Sequence, residues 1–228
     1  MDYEVTKIDD STWALGEGFV RFFLLAGRDQ ALLIDTGMNV GKALEAAREL
    51  TTLPVRLINT HADPDHVGGN KAWESAMMHP AAEENYRAHG GGTVGPVNDG
   101  DRIDLGDRLL QVVWIPGHTP GSIGILDLDR RMFFSGDTVQ QHSEIFMFGP
   151  QRDLSKFAAS LEKLEGMSGQ IDVMYPCHGD LAIKPDVIPQ LLEGARKVIA
   201  GEVAGEERQM FGTTIHACNV GVDTLLVE

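Results

Sequence analysis

The segment Asn59-Thr60-His61-Ala62-Asp63-Pro64-Asp65-His66-Val67-Gly68-Gly69 packs two histidines and two aspartates into six residues. It follows directly on Val55-Arg56-Leu57-Ile58, a short β-prone run set off by Pro54. Imidazole and carboxylate together make a borderline-hard donor set suited to zinc, iron or manganese. A loop leaving a sheet can aim such donors, because the sheet holds its ends rigid. The segment therefore reads as the centre of a metal site, and the strand before it as part of the scaffold.

Working outward, Ala31 to Ile34 is another β-prone run, ending in the turn signature Asp35-Thr36-Gly37. Between it and Val55, the stretch Val40 to Leu50 carries Leu44, Ala47 and Leu50 at helical spacing, which gives a βαβ-like unit. Upstream, Tyr3 to Ile8, Thr12 to Leu15 and Phe19 to Ala26 form a meander of short runs separated by Asp, Gly and Arg turns. Downstream, strands are expected at Arg108 to Ile115, Ile123 to Leu128 and Met132 to Ser135. Helices near Asp153 to Glu165 and Pro185 to Ala200 follow, with Val173-Met174-Tyr175 between them and closing strands in Gln209 to Val227. Strands precede helices in both halves. That order predicts an α/β fold, a four-layer sandwich of two mixed β-sheets with external helices, although other α+β architectures share it. The Gly-rich stretch Gly90 to Val97 reads as a loop able to form part of a lid, and no linker divides the chain, so one domain is expected over residues 1–228.

Hydrophobic residues make up 43% of the 228 and charged residues 23%, which supports a sizeable core and rules out disorder. No run of about 18 apolar residues occurs, and no basic-then-apolar leader opens the chain. The expectation is a cytoplasmic protein with no membrane partner. Asp and Glu number 34 against 19 Lys and Arg, a formal charge of -15, so nucleic acid is not an expected partner. A small anionic substrate would need a local reversal of that field, which bound divalent cations supply. The two cysteines, Cys177 and Cys218, form no CxxC pair, and neither a disulfide framework nor a thiolate zinc site is indicated.

Three more His or Asp residues sit beside glycine at strand ends: His118 in Pro116-Gly117-His118-Thr119-Pro120-Gly121, Asp137 in Ser135-Gly136-Asp137-Thr138, and His178 in Pro176-Cys177-His178-Gly179-Asp180. With His61, Asp63, Asp65 and His66 they make seven candidate ligands, enough for two ions. The chain contains no GxSxG elbow and no P-loop, so covalent and nucleotide chemistries lack their usual marks.

These motifs resemble the metallo-β-lactamase-fold superfamily, whose pattern is H-x-H-x-D-H-x-G-G followed by a glycine-flanked His, a bridging Asp and a last His. The resemblance spans most of the chain and implies an αβ/βα sandwich with the site at the shared edge of its sheets. It implies one ion on His61, His118 and position 63, a second on Asp65, His66 and His178, and Asp137 between them. It also implies that Asp35 orients a ligand, a role weighed against simple turn formation. Where the pattern has its second histidine, this sequence has Asp63. Both sites then become two-His-one-carboxylate, which shifts preference from zinc toward iron or manganese. The flavodiiron branch is similar in having a carboxylate there, but it uses Glu and carries a flavodoxin domain. Three aspartates and a hydroxide balance two divalent ions, so the expected Lewis acidity is lower than with histidine at 63.

Asp63 precedes Pro64 and is also a candidate N-cap of a short helix. Cys177 adjoins a ligand on an extended segment and is expected to point the opposite way as a buried thiol. His79, His89 and His216 lie outside the motifs. His142 and Phe146 are the candidate substrate contacts, in an apolar stretch after Asp137. The activity expected first is metal-dependent hydrolysis, in which a metal-bridging hydroxide attacks a small ester, thioester, lactone, β-lactam or phosphoester, with Asp65 positioning it. Alternatives are a non-haem di-iron oxidoreductase, favoured by Asp63, and a binding protein that has lost turnover.

Overall fold

The computed structural model describes residues 3–39, 41–89 and 91–228. Seven strands form the first sheet in chain order: β1 (Glu4–Asp9), β2 (Thr12–Glu17), β3 (Val20–Ala26), β4 (Ala31–Ile34), β5 (Val55–Ile58), β6 (Ser75–Met78) and β7 (Thr93–Pro96). β1 to β4 pair antiparallel, whereas β4 to β7 pair parallel. Parallel neighbours need a crossover. The three crossovers carry helices α1 (Ala43–Leu50), α2 (Pro64–Val67) and α3 (Glu83–Ala88) in turn. The expected βαβ unit is the first of them; Val40, where its helix was expected to begin, lies outside the described residues.

The remaining elements are β8 (Arg102–Asp104), β9 (Leu109–Trp114), β10 (Ile123–Asp127), β11 (Met132–Gly136), β12 (Glu144–Phe146), α4 (Leu154–Met167), β13 (Val173–Pro176), α5 (Val187–Ile199), β14 (Glu206–Met210), β15 (Thr213–Asn219) and β16 (Thr224–Val227). The second sheet has the order β13-β11-β10-β9-β8, and β12-β16-β15-β14 form a four-stranded ladder of their own. Both are mixed, since β11 pairs parallel with β13 and β12 with β16.

Period-two alternation in β3 and β4 sets the layers. Phe23, Leu25, Leu32 and Ile34 face Leu110, Val112, Ile123, Ile125 and Phe134 of the second sheet. The alternate residues Phe22, Leu24 and Leu33 face Ala43, Ala46 and Ala47 of α1. On the far side, Val113, Leu126 and Phe133 pack on Phe157 and Leu161 of α4 and Leu191 of α5. These three apolar interlayers are the interiors of a four-layer sandwich, and each fully buried Leu or Phe contributes roughly 1.5–3 kcal/mol before chain entropy is charged. At one end of the sandwich, buried Arg108 donates to Asp127 across 2.6 Å and to the carbonyls of Ser11 and Ala26.

The sequence did not announce β6, β7, β8 or β12. Thr93–Pro96, expected as a loop and lid, is an edge strand paired with β6. Its Gly and Pro disguise it, yet Pro is tolerated where one side of a strand has no partner. Gly90 lies outside the described residues. Among the described residues no helix is long and apolar enough to cross a membrane.

Candidate metal centre

The loops that follow β4, β5, β9, β11 and β13 leave the carboxyl ends of their strands at one edge of the sandwich, and they carry Asp35, the His61–His66 motif, His118, Asp137 and His178 respectively. Backbone bonds lock that edge: Asp35 N–H donates to the Ile58 carbonyl (2.9 Å), Ile123 N–H to Thr60 (2.8 Å), Arg21 N–H to Cys177 (2.9 Å) and Cys177 N–H to Gly136 (3.1 Å). The motif helix α2 presses on the Asp35-Thr36-Gly37 turn, with Gly68 N–H donating to the Gly37 carbonyl. A Cβ on Gly68 would lie 2.1 Å from the Met38 carbonyl oxygen, so only glycine permits this approach. Gly117 has φ +138°, and a Cβ there would strike the Phe157 backbone, which fixes glycine before His118 as well.

All seven predicted ligands converge. Asp137 sits between two groups: its Oδ2 lies 3.9 Å from His61 Nε2, 3.6 Å from His118 Nε2 and 3.2 Å from His178 Nε2, while its Oδ1 lies 3.4 Å from His66 Nε2. Asp63 Oδ2 completes the first group at 3.5 Å from His61 and 3.4 Å from His118. Asp65 Oδ2 completes the second, 3.6 Å from His66 and 3.3 Å from His178. The Nε2 atoms of His61, His66 and His118 and Oδ1 of Asp137 are buried without a hydrogen-bond partner. Buried polar atoms are almost always satisfied, and several orphans aimed at common centres fit divalent cations.

The far nitrogen of every imidazole is engaged. Nδ1 of His118 faces the Phe146 carbonyl (3.0 Å), and that of His178 the Phe19 carbonyl (2.9 Å). Nδ1 of His66 faces Asp35 Oδ2 (2.9 Å), and Nδ1 of His61 faces Thr60 Oγ1 (3.0 Å), whose hydroxyl donates to the same Asp35 oxygen (2.7 Å). Each acceptor places the proton on Nδ1 and leaves Nε2 free as a ligand. Asp35, fully buried with φ +66°, thus reaches one histidine of each group.

Asp63 occupies the N-cap position of α2, but its side chain makes no capping bond. The carboxylate instead accepts from Asn85 Nδ2 (3.1 Å) and Arg152 Nη2 (2.5 Å). Neither Asn85 nor Arg152 was visible as a site residue in the sequence, because each lies in a separate segment with no motif around it. His142 is exposed and pairs with Asp180 (2.8 Å). Phe146 approaches the centre through its carbonyl, while its ring packs on Phe148. The Cys177 thiol is buried and points at Asp35 (3.5 Å), away from the ligand face of its neighbour. His79 stacks on Trp114, and His89 bonds the Ala62 carbonyl.

Charges within the cluster are strongly coupled. Burial opposes ionisation of Asp63, but His61 and His118 outweigh it and hold the carboxyl well below the usual range. Burial likewise opposes ionisation of Asp137, which His178 and His66 hold well down. For His178, burial is outweighed by Asp137 and Asp65, which carry it up to about 10. His66 is raised well above its ordinary value by Asp137, Asp65 and Asp35 against burial. His118 goes the other way: burial and the nearby Arg152 push it to about 4.

The family model of the metallo-beta-lactamase superfamily matches residues 15–178, and the chain belongs to that superfamily. Among curated relatives, it is 30% identical over 200 residues to the acyl-coenzyme A thioesterase MBLAC2 of Bos taurus, covering 68% of this chain and 71% of that one. It is 29% identical over 133 residues to a hydroxyacylglutathione hydrolase of Cyanothece sp., covering 55% and 51%. Of solved structures, a metallo-beta-lactamase from Pontibacter korlensis superposes with a TM-score of 0.74 at 21% identity, covering 85% of this chain and 99% of that one, which bears out the fold.

Proposed function

We propose that this chain is a dinuclear metal-dependent hydrolase acting on small thioesters. The observation that carries the reading is the convergence of four imidazole Nε2 atoms and three carboxylates on two adjacent centres, with every Nδ1 tied back. His61, His118 and Asp63 would hold one ion, His66, His178 and Asp65 the other, and Asp137 both. Two divalent cations there supply Lewis acidity toward a scissile carbonyl and lower the pKa of a bound water. The chain's own groups do the rest. Asp65, whose side chain is 20% exposed at the rim of the centre, positions the attacking water. The exposed ring of Phe19 stacks on His178 with centroids 5.8 Å apart and gives apolar cover to an acyl group. No side-chain nucleophile is needed, and the two named relatives, an acyl-coenzyme A thioesterase and a hydroxyacylglutathione hydrolase, favour thioesters over the other acyl classes.

The test is elemental analysis of protein purified without added metal, coupled to thiol release from acyl-coenzyme A and acylglutathione thioesters. Two zinc or manganese per chain with thioester turnover is the expected result. Coloured, oxygen-sensitive iron with oxygen consumption would replace this reading with a redox one, and metal-free, inactive protein would refute it.

A further inference from the structure

We propose that Arg152 is a positioning residue that turns Asp63 into the working equivalent of a neutral histidine ligand, so that the first ion site is built by an Asp63–Arg152 pair. The inference rests on the two-ion reading above. Its starting point is that a carboxylate stands where the superfamily pattern has an imidazole, which by itself adds one negative charge to the centre.

The geometry supplies the compensation. Arg152 Nη2 donates to Asp63 Oδ2 across 2.5 Å, and the same oxygen faces His61 Nε2 at 3.5 Å and His118 Nε2 at 3.4 Å. A carboxylate oxygen has two lone pairs, so one can accept from the guanidinium while the other is directed at the centre. Asn85 holds the remaining oxygen at 3.1 Å, which leaves the carboxylate no freedom to swing away. The guanidinium is itself anchored: Arg152 Nε donates to the Phe146 carbonyl at 3.2 Å, the carbonyl that His118 Nδ1 also addresses at 3.0 Å. One planar fork therefore orients two of the first site's ligands, Asp63 directly and His118 through a shared acceptor. Side-chain exposures of 14% for Arg152 and 16% for Asp63 mean that little water screens the pair.

Charge counting closes the argument. Asp63, Asp65 and Asp137 bring -3, and Arg152 returns the total to -2, which is the value a histidine at 63 would give without it. On this count Arg152 offsets the lowered Lewis acidity expected from the sequence alone. A short carboxylate reaches the centre only where the fold brings its backbone close, and the fork then sets its angle.

Calorimetric titration of the chelator-stripped full chain with Zn²⁺ tests this without reference to turnover. Wild type is expected to take two equivalents. Arg152→Gln should keep one site near wild-type affinity and weaken the other about 10- to 100-fold, the usual scale for loss of a ligand's supporting partner. Arg152→Lys, which keeps charge but not the fork, should fall between them. The double variant Asp63→His/Arg152→Gln should recover the second equivalent, because an imidazole at 63 leaves no carboxylate for the fork to hold in place; a merely structural Arg152 would give no such rescue. Two unchanged equivalents in Arg152→Gln, tighter binding in it, or a double variant no better than it would each overturn the assignment while leaving the two-ion reading intact. Fewer than two equivalents in wild type would overturn both.

Discussion

Substituting Asp35→Asn probes the most connected residue of the centre. Asparagine preserves the volume and tolerates the φ of +66°, so the turn after β4 survives. What changes is the acceptor count. Oδ1 receives the Thr60 N–H (2.8 Å) and Asn59 Nδ2 (3.3 Å), and Oδ2 receives the Thr60 hydroxyl (2.7 Å) and His66 Nδ1–H (2.9 Å). Whichever way the amide turns, its NH2 meets two donors. Each buried donor deprived of its acceptor costs about 1–3 kcal/mol, so the metal-free protein should lose about 2–6 kcal/mol. With the amide facing His66, the imidazole escapes by moving its proton to Nε2, where it blocks the ligand position. Metal affinity should then fall about 10- to 100-fold, equivalent to about 1.4–2.8 kcal/mol. Urea unfolding, zinc titration and ¹⁵N spectra of the imidazoles measure these effects. An Asp35→Asn protein of wild-type stability that binds two ions as tightly as wild type, with every ligand histidine still protonated at Nδ1, would refute the reasoning.

Metal loading should be coupled to proton release. In the metal-free chain His178, raised to about 10, is protonated at pH 7.5, and His66 is shifted in the same direction, whereas His118 at about 4 is already neutral. Ligation needs neutral imidazole, so binding two ions should expel at least about one proton, that of His178; calorimetry in buffers of different ionisation enthalpy that finds less than about half a proton would contradict this. Asp223 makes a separate pH prediction. Burial raises its carboxyl to about 6 despite the N–H groups of Thr224 and Ser143, so its contribution to stability is fully present below the ordinary carboxyl value near 3.8 and is lost as pH rises through about 6. Asp223→Asn should therefore stabilise the protein at pH 8 by up to about 3 kcal/mol and leave it unchanged at pH 4; equal unfolding midpoints for the two proteins at pH 8 would exclude a burial-raised carboxyl.

Local signals carried much of this protein. The short β-prone runs at β3 and β4, the helical spacing before β5 and the glycine-flanked His and Asp residues are short-range patterns, and they predicted the sandwich and gathered all seven ligand candidates. Thr93–Pro96 escaped because an edge strand is defined by the neighbour it pairs with, and its own Gly and Pro argue against it. Phe146 stood out only as a candidate substrate contact in an apolar stretch, whereas its meeting with His118 and Arg152 is made by the backbone carbonyl, an atom every residue type possesses. Asp63 shows the division most clearly. Its identity and its place in the motif are plain in the sequence, and so is the extra negative charge it brings. Arg152 lies 89 positions away with no motif around it, so only the folded chain could supply the cation that cancels that charge. Ligand type is a property of one residue, whereas ligand charge and angle depend on partners that long-range packing alone brings within hydrogen-bond reach.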